Sequence, residues 1–312
     1  MQHFQFCFLL VLLWTNYACQ GESSSDNRVP SSPQTASPTE VVSIEPKQTS
    51  AKVDSTSYRY PWKKNYDVRQ ALINQISLPA GYKRVTTRPN TFGDWLRFLP
   101  LQAPGAKVHY FDGREKWSQD LHERVVDLDI GKKDLQQCAD AIMRLQAEFH
   151  YSQQAYDQIH FNYTSGDRVA FDDWRRGKKP RVRGNGVTFT APNGKIDNSY
   201  QNFSAYLYQI FNYAGTASLS KELKALSISE MQVGDLFIQG GFPGHAVLVL
   251  DMAENASGQK IYLLGQSYMP AQSFHILKNK AQPDLGPWHL LTNDEKQETA
   301  EWTFTRRDLK RF

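Results

Sequence analysis

The sequence predicts an α+β domain in which helices come first and an antiparallel sheet follows. Apolar residues between Asp134 and Tyr151 recur at the three-to-four spacing of an amphipathic helix, whereas beyond Gly234 short apolar runs alternate with glycine-containing loops, the pattern of successive buried strands. Helices segregated from strands along the chain define the α+β class rather than a βαβ weave.

The chain opens MQHFQFCFLLVLLWTNYAC, an apolar run from Phe4 to Trp14 followed by small and polar residues. That run falls short of the ~20 residues a helix needs to cross a bilayer, so residues 1–18 are expected to be a signal peptide. Cys19, directly after it, is expected to carry lipid and tether the mature chain to the membrane; plain secretion with cleavage nearby is the alternative. From Gln20 to Ser57 the composition is Ser, Thr, Pro and Gln with few large apolar residues, too little to offset the entropy of ordering, which predicts a disordered linker over 19–57. Residues 58–312 then form one globular domain. The expectation is an exported, lipid-anchored protein of the cell envelope, in the periplasm or on the outer membrane.

Export and a mild formal charge of +4 spread along the chain argue against a nucleic-acid partner. Of three cysteines, Cys7 leaves with the signal peptide and Cys19 is taken by lipid, so Cys138 stands alone. No disulfide framework is available, and the fold must rest on its core. No cofactor is expected.

The elements follow in order. Thr91-Phe-Gly-Asp94 predicts a capped start for a short helix that ends before Pro100. Val108 to Phe111, closed by Asp112-Gly113, predicts a strand, and Val125 to Ile130 another. The strongest helix runs from Asp134 to about Tyr151, with Leu135, Cys138, Ala139, Ile142, Leu145 and Phe149 on one face. Further helices are expected from Ser199 to Tyr213 and from Leu219 to Leu226. Asp235 to Ile238, Ala246 to Met252 and Lys260 to Gln266 then predict buried strands, and Phe274 to Leu277 and Glu301 to Arg306 two more.

The segment GDLFIQGGFPGHAVLVLDM carries the chemistry. Its glycines and Pro243 present His245 at a strand start, where a neutral imidazole can take a proton from a thiol or water. If Asp251 closes that strand and Lys260 opens the next, Gln266 lies directly across from His245 and can fix its tautomer. A slip of two residues would instead bring Leu264 or Tyr268 opposite. Cys138 is the thiol available to complete the site. One turn into its helix, it would still feel amides that lower a thiol pKa, and Gln137 before it can donate to an oxyanion.

The order of a Cys-bearing helix, a Gly-Asp strand, a strand opening with His and a strand bearing a polar third residue resembles the papain-like peptidases and amidases that cut bacterial cell-wall peptides. This resemblance implies a papain-like core. The chain also resembles a bacterial lipoprotein family known as domain of unknown function 4846, through FGDWLRFLPL, DIGKKDLQQCADAIMRLQAEF, the GDLFIQGGFPGHAVLVLDM segment and LLGQSYMPAQSFHIL. That second likeness implies no activity.

Each residue also has a plainer role. Cys138 lies on an apolar helix face, where free cysteines are commonly buried and inert; His245 can cap its loop; Gln266 can satisfy backbone groups. The basic run at Trp174 to Arg183 is ordinarily a solvated loop, yet Arg175 and Arg176 could engage anionic wall polymer or lipid head groups. His245, Asp251, His275 and His289 lack ligand spacing, so no metal is expected. The expected function is therefore a Cys-His hydrolase of an envelope amide or peptide bond. The alternative is a non-catalytic envelope module that binds glycan, peptide or partner protein, with Tyr268 and the basic loop in the contact surface.

Overall fold

The computed structural model describes residues 60–312. The signal peptide, Cys19, the linker and the Tyr58 boundary lie outside the described residues.

Eight strands and four helices position the site. In chain order they are β1 (Tyr82–Arg84), α1 (Phe92–Arg97), β2 (His122–Val125), α2 (Cys138–Ser152), α3 (Tyr200–Tyr213), α4 (Thr216–Glu222), β3 (Leu236–Gln239), β4 (His245–Asn255), β5 (Lys260–Gln266), β6 (His275–Leu277), β7 (Thr303–Thr305) and β8 (Leu309–Arg311). The main sheet runs β2-β6-β5-β4-β3-β8 and ends on Lys224–Ala225, with β1 and the short strand His289–Leu290 joining off that path. All of its described pairings are antiparallel. The α+β class is as the sequence predicts.

β4 is buried on both faces. Ala246, Leu248, Leu250 and Ala253 pack into the cluster under α1, α2 and α3, while Val247, Val249 and Met252 join Phe237, Tyr262, Leu264 and Phe304 on the other side. Burial on two faces explains a continuous apolar run where a half-exposed strand would alternate. The side-chain parity changes after Leu250 because the β4–β5 register shifts between Leu263 and Leu264. An extra residue on one strand turns the next side chain, here Asp251, out of the regular alternation. Asp251 is fully buried and accepts from Arg84 Nε at 2.6 Å, Arg97 Nε at 2.6 Å and its neighbour's N–H, that of Met252, at 2.8 Å. The bulge thus anchors β1 and α1 to β4.

Several elements depart from the sequence expectation. α2 begins at Cys138 rather than Asp134, because the Asp140 carboxylate accepts the Gln137 N–H at 3.1 Å and fixes the start there. The strand expected over 125–130 ends at Val125, since Val126 and Asp127 donate to Phe274 and Pro100 carbonyls in irregular backbone. Val108–Phe111 forms no strand of its own; His109 and Tyr110 make isolated bridges to Glu115 and Gln272. The helix expected from Leu219 opens at Thr216, where Gly215 donates to Ser218 Oγ at 3.1 Å. The strand expected over 301–306 is Thr303–Thr305, leaving Glu301 in the turn before it. α1 matches closely, with Thr91 Oγ1 accepting from Asp94 N–H at 3.3 Å.

Candidate functional site

Cys138 is the first helical residue of α2, so the helix-opening amides face its sulfur. The N–H groups of Cys138 and Ala139 both favour the thiolate, as does the N–H of Ala246 across the gap in β4. Burial outweighs them and, with the Asp140 carboxyl nearby, pushes the thiol up to about 11. The sequence expectation of a lowered thiol pKa is therefore reversed: the amides are present, but the sulfur has lost its water. Cys138 is only 4% exposed. It borders a groove of about 320 Å³ walled by the start of α2, the α3–α4 turn at Gly215 and Thr216, and the loop from Gly241 to Gly244.

That loop is held tightly. A Cβ at Gly244 would fall 2.4 Å from Thr216 Oγ1 and 2.6 Å from the Gly241 carbonyl, so no larger residue fits. The loop therefore delivers His245 to the first position of β4 against α4. The His245 ring is wholly buried, with ring centroids 4.6 Å from Tyr268, 5.2 Å from Trp302 and 5.9 Å from Phe304. Its Nε2 meets Gln266 Oε1 at 2.8 Å, and its Nδ1 is buried without a hydrogen-bond partner. Burial lowers this imidazole to about 4, so it is neutral at pH 7.

Gln266 does not lie directly across from His245. Gly265 faces Leu248 in the register, which carries Gln266 two places from the expected alignment. A shift of two keeps both side chains on one face, so they meet as diagonal neighbours. Gly265 makes this possible, since a Cβ there would approach Leu250 Cδ1 at 2.5 Å and Phe274 Cε1 at 2.7 Å.

Behind Gln266 stands a group that the sequence reading missed. Gln266 Nε2 donates to Glu301 Oε2 at 2.6 Å, and Lys116 Nζ donates to both Glu301 oxygens at 2.6 Å. His275, opposite Gln266 in the β5–β6 register, brings Nε2 to 3.9 Å from the same carboxylate while its Nδ1 donates to the Ser273 carbonyl at 2.8 Å. Burial would raise the Glu301 carboxyl, but the nearby His275 ring, at 3.9 Å too far for a hydrogen bond, and the hydrogen bonds and charge of Lys116 hold it at about 2.

Tyr268 bridges the two halves of the site: its hydroxyl feels the Cys138 sulfur, and its ring packs on His245. Neither imidazole nitrogen is hydrogen-bonded to the thiol. Gln137 lines the groove, but its Nε2 donates to Asp134 Oδ1 at 2.9 Å. Arg175 and Arg176 stand apart from this groove. Both pair with Asp172, and the Arg175 guanidinium lies over the Tyr156 ring at 5.2 Å. Among the described residues no group of three or more His, Cys, Asp or Glu is placed to hold a metal ion.

Fold and site together define an α+β domain that sets a buried imidazole and amide, backed by a part-buried carboxylate, near Cys138, the one cysteine among the described residues. The family model of the domain of unknown function 4846 matches residues 72–311, and the chain belongs to that family. No curated protein and no solved structure matches it. Among the described residues no helix is long and apolar enough to cross a membrane.

Proposed function

We propose that the domain is a papain-like Cys-His hydrolase of an amide or peptide bond in the cell envelope, delivered there by an N-terminal signal peptide and a lipid on Cys19. One observation carries this reading: His245 has Nε2 held by Gln266 and Nδ1 unpaired, while the next residue of the same strand, Ala246, turns its N–H to the Cys138 thiol.

A neutral thiol and a neutral imidazole favour general-base catalysis over a resting ion pair. His245 Nδ1 takes the thiol proton as Cys138 Sγ attacks the substrate carbonyl, and the imidazolium then returns that proton to the leaving amine. Water hydrolyses the thioester with His245 again as base. The Gln137 side chain is engaged by Asp134, so the N–H groups that open α2 are better placed than it to receive the oxyanion. The groove between α2, the α3–α4 turn and the Gly241–Gly244 loop admits the substrate.

The test is release of free amine from isolated cell-wall fragments by wild type, Cys138→Ala and His245→Ala. Loss of at least about a thousandfold in rate for each variant is expected, from the size of nucleophile and base contributions. Hydrolysis that persists in Cys138→Ala sinks the mechanism. A second reading, a binding module on the same scaffold, draws on the near-complete burial of the thiol. Retention of wall fragments by Cys138→Ala, without turnover by wild type, would favour it.

A further inference from the structure

We propose that the Lys116–Glu301 ion pair is a positioning device that fixes His245 in the tautomer able to act as a base, working through Gln266. This deepens the hydrolase reading and rests on it for its purpose, but the geometry is testable without turnover.

The inference follows from donor and acceptor roles along one chain of contacts. Lys116 has donors alone, so the Glu301 carboxylate must accept from it. An ionised carboxylate can only accept, so Gln266 must turn its Nε2 toward Glu301, where the separation is 2.6 Å. The other end of the amide, Oε1, is then the atom that faces His245 Nε2 at 2.8 Å. A carbonyl oxygen only accepts, so Nε2 must carry the imidazole proton. Nδ1 is left with its lone pair in the plane of the ring, buried and without a hydrogen-bond partner. This is the nitrogen the mechanism needs free.

The alternative arrangement is costly for a specific reason. Flipping Gln266 would allow an Nδ1–H tautomer but would set Oε1 against the Glu301 carboxylate and forfeit a charge-assisted hydrogen bond. Such bonds are worth roughly a 10- to 100-fold bias. Every part is sequestered: Lys116 is 3% and Glu301 12% exposed at the side chain, and Gln266 and His245 are wholly buried. His275 Nε2, 3.9 Å from Glu301, and the Tyr268 ring, 5.9 Å from Lys116 Nζ, complete the surroundings of the pair. Residues 116, 266 and 301 come from a loop, a strand and a turn, a convergence that a surface ion pair would not require.

The experiment is long-range proton–nitrogen correlation NMR on the histidine-labelled protein at pH 7, comparing wild type, Glu301→Gln and the double variant Lys116→Met/Glu301→Gln. The double variant removes the stranded cation that could unfold the single one. Wild-type His245 is expected as the Nε2–H tautomer, with the other form below about one part in ten. In the variants the residue at position 301 no longer dictates the amide orientation, and the Nδ1–H form should rise severalfold. An Nδ1–H tautomer in wild type overturns the proposal, as does an unchanged single tautomer in a folded variant. Failure of the hydrolase reading is seen separately, as wild-type tautomer control without any Cys138-dependent turnover.

Discussion

The raised thiol makes a quantitative prediction about Cys138 reactivity. Only the thiolate is nucleophilic, and burial lifts this group from 9.0 to about 11. At pH 7 the thiolate population is thus about a hundredfold below that of an ordinary cysteine, which corresponds to about 3 kcal/mol of lost solvation. Alkylation with iodoacetamide, followed by peptide mass spectrometry so that Cys138 is read apart from other thiols, should be slow at pH 7. Its rate should rise about tenfold per pH unit up to roughly pH 10 with no earlier plateau. A papain-like resting ion pair would give the opposite curve, fast labelling that is flat from acid pH upward. Fast labelling at pH 6 would refute the argument that burial dominates the helix-opening amides. Absence of labelling at pH 10, in protein shown to be folded, would refute access through the groove. Catalysis should follow the base instead, so activity should fall as pH drops through about 4, where His245 takes a proton and can no longer accept one from the thiol.

Two further expectations concern stability. Asp251→Asn strands the buried Arg97 and the part-buried Arg84 guanidinium and should cost about 3–5 kcal/mol in urea unfolding, whereas Arg84→Met, which leaves the Arg97 contact, should cost about 1–3 kcal/mol; the reverse order would mean that Asp251 does not tie β1 and α1 to β4. His289 is buried and lowered to about 4 by desolvation, so the folded state holds it neutral while the unfolded chain protonates near its ordinary value. Its contribution is complete above about pH 6.5 and is lost as pH falls toward 4. The stability advantage of wild type over His289→Asn should therefore shrink by up to about 3 kcal/mol between pH 7 and pH 4, and a gap independent of pH would show that the imidazole is hydrated.

The α+β class and most strands were legible because burial writes them directly. β4 and β5 are apolar over nearly their whole length, as strands covered on both faces must be. His245 stood out for a related reason: Gly240, Gly241, Pro243 and Gly244 make a loop that little else would explain, and the close approach of Gly244 to Thr216 accounts for it. The boundary of α2 was less legible. Periodicity extends back to Leu135, but the helix starts where Asp140 can accept the Gln137 N–H, and the shift from Asp134 to Cys138 moved the cysteine from the second turn to the first. The alignment of Gln266 was missed because β4 continues past Asp251 to Asn255, which moves the pairing by three places, and a bulge, which has no periodic signature, takes one of them back. Its trace was Asp251 itself, a carboxylate in an otherwise apolar strand whose arginine partners lie more than a hundred residues away in the sequence.

Glu301 and Lys116 were invisible for a deeper reason. Charged residues are common on surfaces, and nothing local distinguishes these two, which are largely withdrawn from solvent as a pair. Their partnership spans 185 positions and exists only because the turn before β7 folds over the mouth of β5. Burying such a pair is expensive, and replacing it with apolar residues is often neutral or stabilising. Its place beside a histidine with one nitrogen satisfied and one unpaired is therefore better explained by orientation than by stability. Lys116→Met/Glu301→Gln should on this argument unfold within about 1 kcal/mol of wild type while losing tautomer control. A large loss of stability with the tautomer intact would assign the pair to the core and leave His245 to be oriented by its aromatic neighbours alone.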